Sequence, residues 1–123
     1  LHFSDGSALM VYQLRHDSGE HYISGSWVSE SGEVTVLRAG DVTMTPQSTT
    51  RLTITSAVGG KGPSSIKEIP LDWRVRAPNL GINISVTTER PHSWLATVFP
   101  YWEGPVVVQG SHQGVGYLEL TGY

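Results

Sequence analysis

The sequence predicts an all-β chain folded as a sandwich or an up-and-down barrel. Three observations carry that prediction. Short runs rich in β-branched and aromatic residues recur along the chain. Turns built from Gly, Pro and Asp separate them, drawing on 14 Gly and 7 Pro among 123 residues. No segment keeps helical periodicity over a helix-length window.

Taken in order, Leu1-His2-Phe3 followed by "SDGS" reads as a short strand and a tight hairpin turn. "ALMVYQLR" (8–15) and "HYISGSWVS" (21–29) are β-rich runs joined by "HDSGE", and "EVTVLRA" (33–39) follows the turn "ESG". "DVTMT" (41–45) is expected to end at Pro46. The segment 46–68 holds a further strand candidate, "RLTIT", and then the loop "SAVGGKGPSS". "LDWRVRA" (71–77) and "INISVTT" (82–88) flank "PNLG", a hairpin connection by composition. "SWLATVF" (93–99), "PVVVQ" (105–109) and "GYLEL" (116–120) close the chain.

Alternation separates the faces of two strands. Ile82, Ile84 and Val86 oppose Asn83, Ser85 and Thr87, and Leu71, Trp73, Val75 and Ala77 oppose Asp72, Arg74 and Arg76. The expected core is Met10, Tyr12, Trp27, Trp73, Val75, Ile82, Ile84, Val86, Trp94 and Leu118. "SWLATVF" and "PVVVQ" are apolar on both faces, which predicts a second cover and, without it, an exposed apolar patch from 93–99 and 105–109.

The length suits one domain. Net charge is −3 and the basic residues do not cluster, so the basic stripe that nucleic-acid binding requires is missing. No apolar run approaches the length of a helical membrane span. The absence of cysteine excludes disulfides and thiolate metal sites but leaves the compartment open. Leu1 enters mid-strand, which leads to the expectation of a domain within a longer protein.

Several familiar chemical signals fail. "VGGKGPSS" places Gly62 and Pro63 after its lysine, where a phosphate-binding loop needs Ser or Thr and a helix. His2, His16, His21, His92 and His112 match no metal spacing, so no metal or other cofactor is expected. Asn83-Ile84-Ser85 fits the N-glycosylation pattern but lies within a strand, and no nucleophile-elbow sequence is present.

Carboxylates beside aromatic residues remain. Asp72 and Arg74 share a face and read as a salt-bridged outer surface. Glu103 follows Tyr101-Trp102 and precedes Gly104-Pro105, while Glu119 lies between Leu118 and Leu120 on the face of Val115 and Tyr117. An unpaired carboxylate buried there is costly unless it is protonated or finds a donor. The structural role expected for both is a carboxylate bonded to backbone N–H groups near bulge or close-approach positions at Gly104 and Gly122.

"DGSALMVYQLR" (5–15), "GSWVSESGEVTVL" (25–37), "DWRVRAPNLGINISVT" (72–87) and "YWEGPVVVQGSHQGVGYLELTGY" (101–123) together resemble the AttH-like, carotenoid 1,2-hydratase-related proteins. The closing motif is the most specific of the four. The resemblance implies an antiparallel lipocalin-like β-barrel of about eight to ten strands with little helix. It implies that residues 1–123 are the C-terminal half of a two-domain protein, whose partner is a sister N-terminal lipocalin-like domain. Association of many bacterial members with ABC transporter components points to a transporter complex and to the bacterial periplasm or cell envelope.

Two readings of function follow. In the first, the barrel is a non-catalytic binding or scaffold domain for a lipid-like apolar ligand, with Tyr12, Trp27, Trp102 and Tyr117 as its walls. In the second, it forms part of a hydratase or isomerase acting on an acyclic isoprenoid. There Glu119 or Glu103, held neutral by an apolar wall, protonates an alkene, and the aromatic faces stabilise the tertiary cation before water quenches it. The side of the barrel that Glu119 faces discriminates between them.

Overall fold

The computed structural model describes residues 1–55 and 62–123. Ten strands form one antiparallel sheet: β1 (His2–Phe3), β2 (Ala8–Arg15), β3 (His21–Val28), β4 (Val34–Leu37), β5 (Thr43–Thr55), β6 (Ser64–Ala77), β7 (Ile82–Thr87), β8 (Trp94–Leu95), β9 (Tyr101–Gly110) and β10 (Gly114–Thr121). The helical content among the described residues is one 3-10 turn, Pro78–Leu80, ended by Gly81 at φ 66°. Much of the expected loop 56–65 lies outside the described residues.

The strands are ordered β4-β3-β2-β1-β10-β9-β7-β6-β5, with β8 beside the start of β9. The first and last strands pair, His2 with Val115 and Phe3 with Gly114. The two ends of the path, β4 and β5, are consecutive in the chain, and the residues that join them form a local isolated bridge between Ala39 and Val42. The sheet thus curls round one core, a lipocalin-like barrel. Its buried residues come from all parts of the path: Leu9, Leu37, Leu52, Ile69, Trp73, Ile84, Trp102 and Val108 belong to one cluster.

Period-2 patterning placed β6 and β7 correctly. Trp73, Val75, Ile82, Ile84 and Val86 are buried. Trp27, Trp94 and Leu118 pack partly buried against the same core. Met10 and Tyr12 do not belong to it: they are exposed, and Leu9 and Val11 point inward instead. β2 carries apolar side chains on both faces, so its alternation does not say which face is inner.

Two boundaries differ from expectation. β5 runs through Pro46 with register shifts between Pro46 and Ser48 and between Ser48 and Thr50. It lies at the end of the strand order, where a residue without an N–H is tolerated at a bulge. "SWLATVF" is a strand only at Trp94–Leu95, because Leu95 pairs with Tyr101 and residues 96–100 become the connection. Val98 and Phe99 are exposed there, but Val106 and Val108 are buried, so 105–109 adds little to an outer patch. Further exposed apolar residues lie on β2, β3, β4, β6 and β10, among them Met10, Leu14, Tyr22, Val34, Val36, Ile66, Val115 and Tyr117.

Asp72 and Arg74 do share the outer face, but they do not pair with each other. Ser48 donates to Asp72, and Arg74 donates to Asn83 Oδ1 at 2.6 Å and Ser85 Oγ at 3.1 Å.

Candidate functional site

One end of the barrel is closed by aromatic rings. Phe3 is buried with its centroid 5.6 Å from Trp27 and 5.2 Å from His112, and Trp27 lies 5.6 Å from His112. The other end holds a slot. β1 lies between β2 and β10 at His2 and Phe3. Beyond it, residues 11–15 of β2 and 117–121 of β10 face each other across a cleft of about 830 Å³. Met44 and Trp73 form its floor. A smaller apolar recess of about 120 Å³, lined by Leu9, Val11, Val75, Val86 and Leu118, continues it inward.

The far end of the slot is bridged by one side chain. Arg15 Nη2 donates to the carbonyl oxygens of Thr121 at 2.7 Å and Gly122 at 3.3 Å, and its guanidinium stacks 3.8 Å over the Tyr123 ring. Gln13 points into the slot, and its buried amide oxygen has no hydrogen-bond partner among the described residues.

The residues singled out from the sequence are divided by this geometry. Tyr12, Tyr117 and Glu119 line the slot, with Tyr12 and Tyr117 on its outer rim. Trp27 belongs to the closed end. Trp102 is fully buried, its indole N–H donating to Pro91 O at 2.7 Å, with no free face to offer a ligand. Gly104 accommodates that ring: a Cβ there would lie 2.8 Å from the Trp102 indole and 3.2 Å from the Ser93 side chain.

Glu103 and Glu119 are paired in register on the outer face, Glu103 half-buried and Glu119 exposed. Among the described residues neither carboxylate accepts a hydrogen bond or joins an ion pair, so the expected bonding to backbone N–H groups is not what holds them. An acid that protonates an alkene needs an apolar enclosure to stay neutral, and Glu119 stands at the solvent side of the slot. Among the described residues no group of three metal-ligating side chains occurs.

Arg15, Gln13 and Leu118 alternate with Tyr12, Tyr117 and Glu119 on the two strands; the alternation is visible in the sequence, but that these two strands line one cleft is not.

A curled antiparallel sheet of this kind, with an apolar core and a cleft in its wall, is a lipocalin-like barrel. The chain belongs to the AttH-like family, whose profile matches residues 1–123. A crystal structure of a protein from Nitrosomonas europaea, provisionally named AttH, superposes with a TM-score of 0.78 at 28% sequence identity. The match covers 98% of this chain and 36% of that chain, so this barrel spans about a third of that protein's length. No curated protein matches.

Proposed function

We propose that this barrel is a non-catalytic binding or scaffold domain for a lipid-like apolar ligand, which lies over the apolar floor between β2 and β10. The observation that carries the reading is the split between floor and rim. The floor is apolar, with Met44, Trp73 and Leu118, while the side-chain carboxylates at the slot, Asp17 and Glu119, are exposed to solvent. Such a site can bury an apolar group but lacks a shielded acid. The sister lipocalin-like domain and the transporter complex are proposed partners. The outer apolar residues of β2, β3 and β4 are the surface offered to that sister domain, and the greater length of the Nitrosomonas europaea protein is consistent with one.

A second reading is hydration or isomerisation of an acyclic isoprenoid. It is favoured by the convergence of Glu119, Tyr12 and Tyr117 on one cleft.

The test is a titration followed by tryptophan fluorescence, using a long-chain fatty acid as the probe. It is expected to saturate at one per chain. Leu118→Arg, which puts a charge over the slot floor, weakens it by roughly tenfold or more, and Glu119→Gln leaves it unchanged within about twofold. Turnover of an isoprenoid that Glu119→Gln abolishes overturns the binding reading in favour of the second.

A further inference from the structure

The outer face of β5, β6 and β7 carries two arginines set in a neutral frame. Arg74 and Arg76 are two residues apart on β6, on the face opposite the buried Trp73 and Val75, so their Cα atoms stand about 7 Å apart. β6 lies between β5 and β7. Register gives Arg76 the neighbours Thr43 and Asn83, and gives Arg74 the neighbours Thr45 and Ser85. These are the positions at which a carboxylate would pair with a guanidinium, and each holds a hydroxyl or an amide instead. Among the described residues neither arginine joins an ion pair. The nearest carboxylate along this face of β6, Asp72, accepts from Ser48.

Arg74 is held in place from one side. Its Nε donates to Asn83 Oδ1 at 2.6 Å and its Nη1 to Ser85 Oγ at 3.1 Å, both on β7, and Nη2 has no partner among the described residues. On the β5 side, Arg74 and Arg76 line a shallow depression of about 430 Å³ whose other walls are Thr43, Thr45 and Gln47. Two cations side by side on one strand repel each other, and an anion seated between them removes that cost.

We propose that this depression binds the terminal phosphate of a phosphate monoester, a dianion with three acceptor oxygens. The match is one of charge and of donors. Two guanidiniums supply two positive charges, and their forked N–H groups suit phosphate oxygens. The hydroxyls of Thr43 and Thr45 add two donors that rotate to fit. A carboxylate carries one charge and is satisfied by a single guanidinium, so it uses half of what the site offers. Thr43, Thr45, Gln47 and Arg76 are exposed, which leaves the rest of the ester in solvent. The inference does not depend on the cleft between β2 and β10, which Met44 and Trp73 line from the other face of the same two strands.

The test is an NMR titration of the 123-residue protein with methyl phosphate at low, matched ionic strength and about pH 7.5, where the ester is a dianion. The Nε–H signals of Arg74 and Arg76 and the amides of Thr43 and Thr45 are expected to shift together and to saturate at one per chain. Arg74→Gln and Arg76→Gln each weaken binding by roughly tenfold, and Thr45→Val by roughly threefold. Arg51→Gln, which removes an exposed arginine elsewhere on β5, leaves it unchanged within about twofold. Arg76 is exposed and forms no ion pair among the described residues, so its variant tests the site even where Arg74→Gln disturbs β7. Dimethyl phosphate, with the same tetrahedral centre and one charge, and acetate each bind at least about tenfold more weakly than methyl phosphate. Shifts that rise without saturating, or saturation that survives Arg76→Gln, overturn the proposal. Equal affinity for dimethyl phosphate or for acetate overturns it as well, because the second charge then gains nothing from the second arginine.

Discussion

Glu103 and Glu119 stand directly opposite each other on β9 and β10, on the outer face of the barrel. The Glu103 N–H donates to Ser93 O at 3.2 Å, away from β10, so the two glutamates form a non-hydrogen-bonded pair, the arrangement in which cross-strand side chains come closest. Two carboxylates in that position repel rather than tie the strands. Glu119→Gln is therefore expected to raise stability by up to about 1 kcal/mol, with the gain shrinking at high salt. Urea denaturation of both proteins at two ionic strengths measures it. A loss of stability would show that the carboxylate has a structural partner.

Gly104 serves the barrel by close approach. Its missing side chain leaves room for the Trp102 indole and the Ser93 side chain, and its φ is not in the left-handed region. Gly104→Ala forces the ring to shift in a filled core and is expected to cost about 1–3 kcal/mol. Trp102→Phe in the same background relieves part of that loss, because the smaller ring vacates the space. A double-mutant cycle on urea midpoints reads the coupling.

Arg15 ties the end of β2 to the chain beyond β10 by two hydrogen bonds and a stacked ring. These groups are solvent-accessible, so Arg15→Ala is expected to cost only about 0.5–1 kcal/mol overall. Its local effect is larger. Residues 121–123 should exchange their amides faster while the core strands do not, which hydrogen exchange resolves.

Asp5 makes the β1–β2 turn pH-sensitive. Its carboxylate accepts from the Ser7 hydroxyl and from the Ser7 N–H at 2.9 Å, and these bonds, with a smaller contribution from His112, hold it below the ordinary carboxylate range. A carboxylate with a depressed folded pKa contributes stability that is present above its unfolded pKa and is lost as pH falls through the folded value. The turn is therefore expected to hold at pH 5 and above and to loosen in the acid range below roughly pH 4. The Asp5 carboxyl carbon shift and Ser7 amide exchange, followed by NMR, report it; Asp5→Asn removes the pH dependence.

The sequence was legible where one face of a strand is polar. β6 and β7 alternate cleanly, and their inner residues are those that pattern indicates. The hairpin of β9 and β10 was also legible, because "GSHQG" bounds it and the two runs that flank it are β-rich. Where both faces are apolar, as in β2, pattern alone does not distinguish them: Leu9 and Val11 are inner, and Met10 and Tyr12, expected in the core, are exposed. Pro46 misled for a related reason. A proline stops a strand only when the ladder needs its N–H, and that depends on whether the strand lies at an edge.

By itself the sequence determined the class: short β-rich runs between Gly and Pro turns, without helical period or cysteine, leave an antiparallel sheet as the way to satisfy the backbone and bury the tryptophans. It also placed Glu119 on the face of Val115 and Tyr117. Only the tertiary structure decided that this face is the outer one, that Glu103 lies opposite, and that β2 and β10 line one cleft. The reason is that alternation along a strand is a local property, whereas inside and outside, register and the presence of a neighbour are set by which strands pair round the curled sheet.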